Sequence, residues 1–158
     1  MRVRGITHED FLQYKKACMF IATCFCTFKC EKDCNCEGMC QNSELVNTDI
    51  LEISNDVIVD MYMNNMISEA VVFGGLEPLD QFDELLGLIR VFRKVTDDDI
   101  VIYTGYNRNE VEDKINLLKP YNNIIIKFGR YVPGDNLHYD SVLGVSLASN
   151  NQYAEKIS

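Results

Sequence analysis

The 158-residue chain contains no run of 18 apolar residues, so no segment reads as a membrane-spanning helix. Glycine and proline together number only 12 while 47% of the residues are hydrophobic, a balance that excludes collagen-like, disordered and coiled-coil chains. Basic side chains are scarce, 15 against 24 acidic ones, and the formal net charge of −9 argues against a nucleic-acid surface, which needs clustered Lys and Arg. The opening stretch, Met1 to Gln13, is polar and does not resemble an export signal, so the cytosol is the expected compartment. Cysteine is missing from residues 41–158, which excludes a disulfide network stapling the whole fold.

All seven cysteines (18, 24, 26, 30, 34, 36 and 40) fall instead within 23 consecutive residues. In the cytosol thiols stay reduced, and an odd, dense set points to metal or redox chemistry. Charge is segregated as well: residues 1–40 carry six basic and five acidic groups, whereas residues 41–158 carry nine and 19. A near-neutral, cysteine-rich head is thus joined to an acidic body. The length predicts one domain over residues 1–158, with the cysteine-rich loop at 24–42.

Residues 17–23, 69–73, 99–103 and 123–128 are short apolar runs, and the last three stop at Gly74-Gly75, Thr104-Gly105 and Gly129. Runs of this kind suit parallel strands buried on both faces. Between them, Phe82, Leu85, Leu86, Ile89 and Phe92 recur on one helical face. A second stripe, Val111, Ile115 and Leu118, follows Asn107 and Glu110 as a capping pair and is closed by Pro120. A helix is expected over residues 56–66 with Ile58, Met61, Tyr62 and Met66 inward, and a helix or helical turn over residues 42–54. Asp97, Asp98 and Asp99 read as a solvated turn. Strands spaced by 30 and then 24 residues and joined by helices predict an α/β fold, with functional groups at the carboxyl ends of the strands.

The loop from Cys24 to Asn42 reads CFCTFKCEKDCNCEGMCQN. Soft thiolates this close suit zinc or an iron–sulfur cluster. Structural zinc usually takes a second cysteine pair well downstream, which is missing, whereas one loop after one strand can wrap a cubane from a single side. Cys18, inside a strand, reads as a small core residue.

Three features then combine: Cys26-x₃-Cys30, the ending Met39-Cys40-Gln41-Asn42, and Gly74-Gly75-Leu76-Glu77-Pro78 after the next strand. Together they resemble the radical S-adenosylmethionine (SAM) enzymes, whose pattern is C-x₃-C-x₂-C, often followed by a polar residue and Asn, with G-G-E-P on the second strand. Residues 2–6, 102–106, 126–130 and 149–152 resemble the short subgroup that activates anaerobic ribonucleotide reductase. The chain departs from the pattern in two places: nine residues separate Cys30 from Cys40, and Leu76 interrupts G-G-E-P.

The resemblance implies a single-domain partial (β/α) barrel of mostly parallel strands. It implies a [4Fe-4S] cluster held by Cys26, Cys30 and Cys40, with Cys34 or Cys36 as alternatives to Cys40, and an open fourth iron for the methionine end of SAM. It also implies that Gly74 and Gly75 offer backbone carbonyls to the SAM ammonium, Glu77 adds charge complementarity, Met39 packs near the adenine and Thr104 meets the adenosyl group. The implied reaction is reductive cleavage of SAM to a 5′-deoxyadenosyl radical. That radical would install a glycyl radical on the large subunit of anaerobic ribonucleoside-triphosphate reductase, with electrons from a small protein such as flavodoxin or ferredoxin. The short chain suits a protein substrate that closes the open side of a partial barrel. The alternatives are a radical SAM enzyme acting on a small nucleotide-like substrate and a non-enzymatic zinc-binding module.

Overall fold

The computed structural model describes residues 1–158 apart from the side chain of Cys34. The chain opens with β1 (Arg2–Val3), β2 (Gly5–Asp10) and β3 (Cys18–Thr23), and β3 feeds the cysteine loop, which holds the short helix α1 (Lys29–Cys34). A 3₁₀ turn (Ser43–Asn47) and β4 (Leu51–Glu52) precede α2 (Asn55–Met63). Strands and helices then alternate as β5 (Ala70–Gly75), α3 (Phe82–Phe92), β6 (Asp99–Tyr103), α4 (Glu112–Leu118) and β7 (Ile124–Phe128). Three short strands follow: β8 (His138–Asp140), β9 (Val145–Leu147) and β10 (Tyr153–Lys156).

The result is a mixed α/β fold around an open sheet of order β10-β7-β6-β5-β3-β2. Its four central strands, β3, β5, β6 and β7, are parallel, and both edge strands pair antiparallel. The parallel strands lie side by side in chain order, as same-handed crossovers require, and each crossover places its helix on the same face. Met19, Ile21, Val71, Phe73, Ile100, Ile102, Ile124 and Ile126 pack against that helical layer, which contributes Ile58, Tyr62, Leu85, Ile89, Phe92 and Ile115. The alternate residues point the other way. There Cys18, Ala70, Val72, Val101 and Ile125 meet Tyr14, Leu143 and Leu147 from the β2–β3 loop and the β8–β9 region. Burial on both faces explains why these strands read as continuous apolar runs.

Three local expectations change. The helical turn expected over residues 42–54 is present only as the 3₁₀ turn Ser43–Asn47, and the segment then becomes β4, which pairs antiparallel with β1 because Leu51 and Glu52 complete a ribbon with Val3 and Arg2. Helix α2 stops at Met63 and buries Ile58, Val59 and Tyr62, so Met66 falls beyond it and is 95% exposed. The acidic triplet is tied down: Tyr62 donates to Asp98 at 2.7 Å, and Tyr14 and Lys16 donate to Asp99 at 3.1 and 2.6 Å. Asn107 and Glu110 do form a capping box, on a 3₁₀ turn (Arg108–Glu110) that leads into α4. Among the described residues no helix is long and apolar enough to cross a membrane.

Candidate metal centre

The cysteine loop leaves the carboxyl end of β3 and is stitched to the loop after β5. Cys24 N donates to Gln81 at 2.6 Å, Glu77 N to the Phe25 carbonyl at 2.8 Å, and Thr27 N to Asp80 at 2.8 Å. Phe28, in the left-handed region at φ 51°, turns the chain into α1, and Asn35, at φ 52°, ends it. Past the helix, the Glu31 carboxylate accepts from Cys40 N at 2.8 Å and Gly38 N at 3.2 Å. The nine residues between Cys30 and Cys40 thus form a helical turn that folds back on itself. Cys26, Cys30 and Cys40, all free thiols, line one cavity of about 390 Å³ together with Gly74, Gly75 and Glu77.

Burial pushes the Cys26 thiol up to about 12, and burial followed by the nearness of Cys40 raises Cys30. Metal-free, these thiols therefore keep their protons at neutral pH, and cluster assembly has to displace them. Among the described residues no three His, Cys, Asp or Glu side chains are grouped so as to hold one ion, and the three thiols share the lining of one cavity. A cube offers each thiolate its own iron, and this donor set fits it. Cys36 does not line the cavity, and the side chain of Cys34 lies outside the described residues. Cys18 and Cys24 are buried, 0% and 2% exposed.

The glycine turn forms the cavity's second side. Gly75 adopts φ +80°, which a side chain disfavours, and a Cβ on Gly74 would come within 2.9 Å of the Phe20 ring. The Gly74 carbonyl accepts from Thr23 Oγ1 at 3.0 Å. Glu77 is nearly inaccessible, and its carboxylate accepts from Leu79 N at 3.0 Å, Thr104 Oγ1 at 2.8 Å and Gly105 N at 2.9 Å. Thr104 in turn accepts from Tyr106 N at 3.0 Å. Glu77 and Thr104 therefore clamp the loops after β5 and β6 to each other while still lining the cavity. Burial, working against those hydrogen bonds, brings the Glu77 carboxyl up to about 7. Met39 is 49% exposed and stands outside the cavity lining.

One charged lining residue, Lys127, was not among the sequence candidates. Lys127 lies on the helix-free face of β7, buried, with Nζ donating to the Gly129 carbonyl at 3.0 Å. Burial lowers its ammonium to about 8. The signal was present as the lone charge in Ile124-Ile125-Ile126-Lys127-Phe128, a strand with no other polar side chain. The Lys127 ammonium lines the same cavity as the three thiols and spends one donor on the Gly129 carbonyl.

A family model described as a 4Fe-4S single cluster domain matches residues 15–151, a span that includes every cysteine. The chain belongs to that family. Searches of curated proteins and of solved structures return no match. Membership in the 4Fe-4S single cluster domain family makes this an iron–sulfur protein, and the clustered thiols are the chemistry such a cluster needs.

Proposed function

We propose that this iron–sulfur protein is a radical SAM enzyme on a partial (β/α) barrel, which cleaves SAM reductively and installs a glycyl radical on the large subunit of anaerobic ribonucleoside-triphosphate reductase. The observation that carries the reading is the shared cavity: Cys26, Cys30 and Cys40 face Gly74, Gly75 and Glu77 across one space at the carboxyl ends of parallel strands. The barrel reading is supported by parallel strands in chain order with their helices on one face.

Cys26, Cys30 and Cys40 would hold the cluster as thiolates. When bound, the cluster supplies one electron that splits the sulfur–C5′ bond of SAM into methionine and a 5′-deoxyadenosyl radical, which takes hydrogen from a glycine Cα of the partner. Gly74, lacking a side chain, leaves room for Phe20 to wall the cavity. Glu77 and Thr104 fix the loops that frame the ligand, and Lys127 offers its ammonium to an acceptor group of SAM. Leu12 sits at the cavity's edge, 77% exposed, an apolar rim of the kind a protein substrate covers.

The test is anaerobic incubation of cluster-loaded protein with the reductase large subunit, SAM and reduced flavodoxin or ferredoxin. Electron paramagnetic resonance should show a glycyl-radical doublet. A loaded protein that releases 5′-deoxyadenosine but raises no doublet would reject this partner and favour a small nucleotide-like substrate.

A further inference from the structure

Helix α1 carries Cys30 and is poorly equipped to hold itself. It has only six residues, its N-cap Phe28 makes no side-chain capping bond, and none of its described residues is fully buried. A helix this short has no independent stability in water. Lys29 and Asp33, which flank Cys30, instead meet two charged side chains from other loops. Glu110, after β6, accepts from Lys29 Nζ at 3.0 Å, and Arg130, after β7, brings Nε within 2.8 Å of Asp33 Oδ2. The Arg130 Nε contact is an ion pair without hydrogen-bond geometry. Glu110 and Arg130 are joined by a two-pronged pair, Nη1 to Oε2 at 2.7 Å and Nη2 to Oε1 at 2.8 Å. The Arg130 side chain is only 13% exposed, so this pair is better shielded than a surface ion pair.

We propose that Glu110 and Arg130 are positioning residues that latch α1, and with it Cys30, against the ends of β6 and β7, so that the cluster thiols are preset. The latch acts on cluster retention, so it rests on membership in the cluster family and not on the SAM reading. It draws together three loops that are distant in sequence, and Arg130 lines a small crevice beside Cys26 and Cys30.

The test compares the anaerobically reconstituted wild-type chain with Arg130→Met, Arg130→Lys and Glu110→Gln, the last of which keeps a side chain able to complete the cap of Asn107. Iron release to a ferrous chelator is followed at low and high sodium chloride. Loss of a charge-assisted, two-pronged pair is expected to speed release roughly tenfold in Arg130→Met and Glu110→Gln, with Arg130→Lys in between. The Arg130→Met/Glu110→Gln double variant should fall short of the combined single effects, because both break the shared Glu110–Arg130 pair while the contacts to Lys29 and Asp33 are lost separately. Wild-type release should quicken with salt, and the Arg130→Met rate should respond less, since only the Lys29–Glu110 pair is left to screen. Release at the wild-type rate, or additive effects in the double variant, would overturn the proposal. So would thermal midpoints of the metal-free variants that fall in step with iron loss, since that pattern marks general unfolding.

Discussion

Lys127 and Tyr103 stand opposite each other where β7 pairs with β6, with the Lys127 ammonium 5.9 Å from the centre of the Tyr103 ring. Both line the cavity, so this pair forms its floor on the helix-free face of the sheet. A buried cation resting on an aromatic face, held by one carbonyl, is poised to exchange its environment for a ligand's acceptor.

That burial has a pH signature in the metal-free protein. Lys127 titrates near 8 in the fold against 10.5 in the open chain, so below pH 8 the folded state carries the full cost of a charged lysine, and the cost vanishes as pH rises through 10.5. Lys127→Met should therefore be more stable than wild type by up to about 3 kcal/mol below pH 8, with the gap closing above that. Urea melts at pH 7 and pH 10 measure the difference. Subtracting the two proteins is needed because the buried Cys18 and Cys26 thiols, both raised to about 12, make stability fall above pH 9. Equal gaps at both pH values would contradict the assignment.

Glu77 works in the opposite window. Its folded value of about 7 lies above the ordinary 4.5, so stability declines as pH rises from about 4.5 to 7. Glu77→Gln should abolish that slope. At pH 5, where the folded carboxyl is protonated, the neutral amide should change stability little, and above pH 7 the variant should be the more stable of the two because it escapes the cost of burying the charge. An unchanged pH slope in the variant would show that another group is responsible.

Cys26→Ala, Cys30→Ala and Cys40→Ala should each fail to hold a full four-iron complement after anaerobic reconstitution, whereas Cys18→Ala and Cys34→Ala should keep it. Iron and sulfide assays read the outcome. Full iron in Cys40→Ala together with loss in Cys34→Ala would move the third ligand to Cys34.

Gly74→Ala should destabilise the protein by about 1–3 kcal/mol, because the new Cβ would press on Phe20 from 2.9 Å and force the ring into the cavity. Denaturant midpoints measure it, and a neutral substitution would mean that Phe20 has room to rotate away.

The strands of the parallel core were legible because both their faces are buried, so Val71, Val72 and Phe73 or Ile100, Val101 and Ile102 announce themselves as unbroken apolar runs. The edges were not. Tyr153 to Lys156 and the pairing of His138, Tyr139 and Asp140 with residues of β9 carry too little apolar pattern to mark strands, and only the neighbouring sheet and loops decide them. Met66 kept the helical spacing of Ile58 and Tyr62 but lies past the turn that ends α2 at Asn64. In the candidate site, the cysteine spacing and the glycine turn were readable as a pattern. The engagement of Glu77 and Thr104 with each other was not, because a polar residue's partner depends on which loops the fold brings together.

Cleavage of SAM by a cluster held on Cys26, Cys30 and Cys40 can be measured directly. The direct measurement is the yield of 5′-deoxyadenosine from SAM, per cluster, with the anaerobically loaded protein and a strong reductant. 5′-Deoxyadenosine and methionine are expected in equal amounts, with none from Cys30→Ala. A protein that holds four irons, accepts the electron and leaves SAM intact would contradict the proposed cleavage.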